Sequence, residues 1–124
     1  MRKSMNKIEH LRTRRRQAHK QLLEMKSKVY EAFLKMESAT YADGALPKKA
    51  KEFIAIGISV VIDCESCMEW HITQAAHDGA SRQEVLEAVE VAMEMAGGPA
   101  TASARFALEV MDEVFGADKS KGKP

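Results

Sequence analysis

From about Ser4 to Glu37 the chain contains neither Gly nor Pro. Apolar residues return at Ile8, Leu11, Ala18, Leu22, Met25, Val29, Phe33 and Met36, close to a seven-residue repeat. That spacing predicts one long amphipathic helix or two abutting ones, with a seam that packs on the body or on another chain. Arg15 interrupts the stripe, and the first half-dozen residues are expected to be mobile. Residues 38–46 break the pattern as a linker with a turn at Asp43-Gly44, and Pro47 suits the first turn of a following helix. From Phe53 to Ile62 the chain is almost continuously apolar, broken only by Gly57 and Ser59. Its Ile and Val content would also fit a strand. The length of Lys48–Ile62 and its proline start favour a buried helix.

Asp63 is a candidate cap for a third helix running through Trp70 and Ala76 to a stop at Gly79. Ser81-Arg-Gln-Glu84 has the form of a capping box, predicting a fourth helix over Arg82–Met95. Gly97-Gly98 ends it in a sharp turn, and Pro99 opens a fifth that reaches Val114–Phe115 before Gly116. No strand pair or internal repeat stands out. The expected fold class is all-α, with about five helices.

Composition fits that expectation. The 124 residues are 45% hydrophobic, enough for one domain with a real core, and eight Met outnumber the four Phe, two Tyr and one Trp. An aliphatic, Met-rich interior suits packed helices. No stretch approaches the roughly 18–20 apolar residues needed to span a bilayer, so no membrane role is expected. The basic N-terminus lacks the apolar core of a secretory signal, which makes the cytoplasm the expected compartment.

The formal charge of +1 conceals an asymmetry. Residues 1–20 carry eight Lys/Arg against Glu9 alone, and residues 118–124 carry three Lys against Asp118, leaving −8 for the middle. A basic arm on an acidic body could reach an anionic partner or a neighbouring subunit, or simply be a solvated helical face. Without interleaved aromatics it is a weak nucleic-acid signal, and nucleic acid is not the expected partner. The tail 117–124 reads as disordered.

The chemistry is concentrated in Asp-Cys-Glu-Ser-Cys-Met-Glu-Trp-His, residues 63–71, which holds both cysteines of the chain. At the start of a helix, exposed N–H groups and the positive dipole end favour a thiolate at Cys64. Cys64 and Cys67, three apart, share a face, and a disulfide between them is geometrically plausible. His71 follows Cys67 by one turn and could take its proton, giving the nucleophilic thiolate. Glu52 lies on another helix; if the fold brings it near, it can orient His71 or accept the proton through it. Three readings are open for the pair. It could be a redox-active dithiol, a zinc site completed by His71 and Glu52, or two buried cysteines of the core. The second pair of ligands usual in a zinc knuckle is missing. His10, His19 and His77 read as surface groups, and Trp70 as a packing residue.

The spacing Glu52-x11-Cys64-x2-Cys67-x3-His71 does not stand alone. Before it comes Leu46-Pro47-x-Lys49-x-Lys51, and after it His77-Asp-Gly79-Ala80-Ser81, Glu84-Val85-x-Glu87-Ala88 and Gly97-Gly98-Pro99. Together these resemble the carboxymuconolactone decarboxylase family, in its alkylhydroperoxidase D-like branch. The resemblance divides the chain into a basic helical arm, 1–27, a family domain, 28–116, and the tail, 117–124. It implies a helical subunit that forms homo-oligomers, commonly trimers or hexamers, and that reduces hydroperoxides. In that scheme Cys67 is the attacking thiol, Cys64 the resolving thiol, and His71 with Glu52 the proton relay. A dithiol protein resets the pair, and no flavin, haem or metal is needed. The resemblance departs at Ser66, where some members carry a histidine that assists the relay. The decarboxylase branch generally lacks the cysteine pair, so lactone decarboxylation is not implied. The rival function class is a non-catalytic assembly or binding protein that docks through its basic arm.

Overall fold

The computed structural model describes residues 6–116. Expectations for the first residues and for the tail 117–124 lie outside that range. Within it, every regular element is a helix: α1 (Lys7–Glu24), α2 (Lys28–Thr40), α3 (Lys48–Val61), α4 (Glu65–His77), α5 (Arg82–Ala96) and α6 (Gly98–Phe115). The fold is all-α, as expected, with six helices where about five were expected. The chain divides into two compact units, residues 1–42 and 43–124.

In the first unit the Gly-free stretch forms two helices, because the chain reverses local conformation at Lys26, whose φ is +57°. Ser27 then caps α2, its hydroxyl accepting the Tyr30 N–H at 3.1 Å. Asn6 caps α1 in the same way through the Glu9 N–H, at 2.8 Å. The two helices are tied by His19, whose Nδ1 lies 2.5 Å from the Tyr30 hydroxyl. Leu23, Met25, Val29, Phe33 and Met36 are exposed along this stretch.

The second unit is a four-helix body in which α3 packs on α4 and α5, and α6 closes against all three. Its core holds Ile56, Val60, Met68, Ile72, Val85, Val89, Val110 and Met111, all nearly inaccessible to solvent. Each such side chain contributes on the order of 1.5–3 kcal/mol of burial. The apolar run that could have been a strand is helical through Val61. Its continuity has a simple cause: one face, with Ile56 and Val60, is core, while the opposite face leaves Ile54, Ile58, Val61 and Ile62 exposed. Asp43 supports the start of α3 by accepting the Lys48 N–H at 2.6 Å. The Ser81/Glu84 capping box on α5 forms in full, and Gly97 joins α5 to α6 at φ +73°, a conformation that favours glycine.

Candidate active site

The turn from α3 into α4 is built from Ile62, Asp63 and Cys64. Asp63 does not cap α4, contrary to expectation; it takes a left-handed conformation, φ +55°, and Cys64 becomes the cap. An aspartate tolerates that conformation, and using it reverses the chain in very few residues. The Cys64 N–H donates to the Ser59 carbonyl at 2.9 Å, securing the turn to the end of α3. Its sulfur accepts the Cys67 N–H at 3.2 Å. Sulfur thus does at this helix start what a serine or aspartate oxygen usually does.

Cys64 and Cys67 are joined in a disulfide, with Cα atoms 5.2 Å apart, and both are half-buried. They lie in the first turn of α4, at the positive end of its dipole. One turn further on, His71 meets Glu52 of α3: Nδ1 and Oε1 are 2.6 Å apart. Glu52 is only 1% exposed. Donating its Nδ1–H to that carboxylate leaves the neutral imidazole with a lone pair on Nε2, able to receive a proton. The fold therefore brings Glu52 to His71, and places His71 on the helix that carries both sulfurs.

The second oxygen of Glu52 is also occupied. Lys48 Nζ donates to Glu52 Oε2 at 3.1 Å, to Asp78 Oδ2 at 2.8 Å and to Gln74 Oε1 at 3.2 Å. Burial works against the lysine's charge. The hydrogen bonds and negative charges of Asp78 and Glu52 outweigh it, holding the ammonium above its ordinary value of 10.5. Lys48, Gln74 and Asp78 were not singled out from the sequence. The available signal was the spacing of residues 64, 67, 71, 74 and 78, a three-four alternation that keeps them on one side of α4.

Other candidates fall away from this cluster. His77 and His10 are exposed, and His19 is engaged by Tyr30. Among the described residues, no group of three or more His, Cys, Asp or Glu converges in a way that could hold a metal ion. Nor is any helix there long and apolar enough to cross a membrane.

Residues 27–110 match the carboxymuconolactone decarboxylase family. A Paracoccus denitrificans protein, known as uncharacterized protein 4 in cox locus, is 42% identical over 87 residues, covering 70% of this chain and 78% of its own. An uncharacterized protein of Cupriavidus necator is 36% identical over 81 residues, covering 65% and 72%. The crystal structure of a carboxymuconolactone decarboxylase family protein from Legionella pneumophila superposes with a TM-score of 0.80 at 33% identity, over 91% of this chain and all of that one. Another member, from Thermotoga maritima, superposes at 0.78 with 25% identity, covering 86% of this chain and 90% of its own. A part in the antioxidative response has been suggested for that protein.

Proposed function

The chain belongs to the carboxymuconolactone decarboxylase family, and on that footing we propose that it is a thiol-dependent hydroperoxide reductase. The observation that carries this reading is the Cys64–Cys67 disulfide in the first turn of α4, one turn from the half-buried His71 and its buried partner Glu52. In the reduced protein His71 Nε2 accepts the Cys67 proton, and Glu52 stabilises the imidazolium that results. The Cys67 thiolate attacks one oxygen of the hydroperoxide. A sulfur–oxygen bond forms, the O–O bond breaks, and the alkoxide leaves with the proton from His71 as an alcohol. Cys67 is then a sulfenic acid. The Cys64 sulfur displaces its oxygen as water, forming the disulfide, and a dithiol protein resets the pair by exchange. A reducing cytoplasm would supply such a dithiol.

The direct experiment treats the reduced protein with a hydroperoxide and follows intact mass. Loss of two hydrogens, with one alcohol formed per protein, is the expected result. Thiols that stay unreactive, or a stable added oxygen, would sink the reading. In Cys67→Ser no peroxide should be consumed.

Assembly is part of the same proposal. Between α3 and α5 lies an apolar groove of about 600 Å³, lined by Ile54, Ile58, Val61, Val91 and Met95 among others. All five of these side chains are exposed. We infer that its occupant is a second copy of the chain. Residues 1–42 carry eleven Lys/Arg against four Glu, whereas residues 43–124 carry eight against fourteen Asp/Glu. Opposite charges on two units that each expose apolar residues favour head-to-tail association, a kind of contact that closes into rings such as trimers when the rotation between copies closes.

A further inference from the structure

The face of α4 that carries the thiols continues beyond His71 as an unbroken polar line. Residues 64, 67, 71, 74 and 78 alternate by three and four, so Cys64, Cys67, His71, Gln74 and Asp78 share one side of the helix. Facing them, α3 presents Lys48 and Glu52. The contacts run in order. Asp78 and Gln74 hold Lys48, Lys48 holds Glu52 Oε2, and Glu52 Oε1 holds His71. Lys48 is bonded to residues 26 and 30 positions away.

We propose that Lys48 is a positioning residue of the peroxide site: braced by Asp78 and Gln74, it fixes the Glu52 carboxylate, in its ionised form, against His71. The inference rests on the peroxidase reading for its chemistry, while its electrostatic core concerns the Glu52–His71 pair in any state of the cysteines. A carboxylate that is 1% exposed has almost no water to stabilise its charge. Lys48 supplies the compensating cation, and because it bonds the second oxygen it also stops the carboxylate from rotating. Asp78 and Gln74 in turn hold the ammonium of a side chain that is one-third exposed and would otherwise swing into solvent.

The charged groups bonded to Glu52 come from α3 and α4, and α4 also carries a second buried carboxylate, Glu69, which accepts the Thr73 hydroxyl at 2.9 Å. From α3 Glu52 meets Lys48, and from α4 it meets His71, with Asp78 behind the lysine. On α5, Glu84 is paired with Lys49 of α3, and Arg82 with Asp112 of α6. Without Lys48 the Glu52–His71 pair would hold its protons more tightly. Protonated Glu52 cannot stabilise an imidazolium, and protonated His71 cannot receive the Cys67 proton. Both effects have the same sign.

The test compares wild type with Lys48→Met, Lys48→Gln and Lys48→Arg in the reduced full-length chain. The rate of hydroperoxide-driven disulfide formation is followed against pH, and the His71 ring titration is followed by NMR, assigned with His71→Gln. Lys48→Met should move the acidic limb of the rate profile and the His71 midpoint upward, slowing the reaction roughly tenfold near neutrality. Lys48→Gln keeps a hydrogen bond without the charge, and reports the same shift should Lys48→Met not fold. Lys48→Arg should recover most of the loss. A His71 midpoint that does not move in Lys48→Met or Lys48→Gln overturns the inference. A wild-type chain inert to hydroperoxide overturns the peroxidase reading instead, and the NMR titration still decides the role of Lys48.

Discussion

Glu52 on α3 and His71 on α4 are separated by 19 positions in the chain and by 2.6 Å in space. A carboxylate this deeply buried, bonded to a ring nitrogen, fixes both the tautomer and the direction of the imidazole. Glu52→Gln keeps the shape and removes the charge. Peroxide-driven disulfide formation should then fall by about 10²–10⁴-fold, the usual worth of a positioned acid–base group. The helical circular dichroism spectrum should be unchanged.

The two thiols should differ in kind. Peroxide-treated Cys64→Ser should retain one added oxygen on Cys67, trapped by a sulfenic-acid reagent, because no resolving sulfur remains. Cys67→Ser should add no oxygen at Cys64. The reverse pattern would exchange the roles of the two cysteines.

Cys64 also has a role in stability. As the cap of α4 its sulfur accepts the Cys67 N–H. In the reduced protein Cys64→Ala should lower stability by about 1 kcal/mol in urea titrations, whereas Cys64→Ser, with a hydroxyl in the same place, should lose little.

Stability should fall at both extremes of pH, for reasons that can be assigned. The ammonium of Lys48 is held above its ordinary value, so its pairing stabilises the fold fully below pH 10.5 and is lost as pH rises through the higher folded value. Glu84 is held below its ordinary 4.5, first by the Ser81 backbone N–H and also by Lys49. Its contribution is present above that value and is lost as pH falls through the lower folded one. Thermal midpoints measured across pH should show both limbs. Lys48→Met should remove the alkaline contribution, and Glu84→Gln the acidic one.

Association should depend on the α3–α5 groove. In sedimentation velocity, Ile58→Glu or Val91→Glu should dissociate the assembly, since each puts a charge on an exposed apolar surface. High salt should weaken it further by screening the two halves. A wild-type chain that stays monomeric at low salt would refute the assembly.

How much of this could be read from the sequence depends on how far apart the cooperating residues are. Cys64, Cys67 and His71 lie on one helix, so their common face follows from spacing alone. Glu52 could be named, but its distance from His71 could not, because only the packing of α3 on α4 sets it. Lys48 escaped notice for the same reason, as two of its three partners lie on α4 or at its C-cap. The break at Lys26 had no strong signal, since lysine does not favour the left-handed conformation it adopts there. Asp63 misled in the opposite direction. Aspartate is a strong cap, but the turn required a left-handed residue at that position, and the cap passed to the next residue. Ile54–Ile62 was ambiguous because two separate surfaces are written into one helix.

The disulfide closes a loop within a single helical turn, and its Cα separation of 5.2 Å is what an unbroken helix gives to residues three apart. Making or breaking the bond therefore asks nothing of the backbone. So short a loop contributes only about 2 kcal/mol through chain entropy, which puts the bond outside the class of staples on which small folds depend. In the proposed reaction, the protein would record an encounter with an oxidant in the side chains of one helical turn. On that proposal, a reductase would have to recognise the oxidised form by its sulfur chemistry, since the bond spans residues only three apart at one helix start.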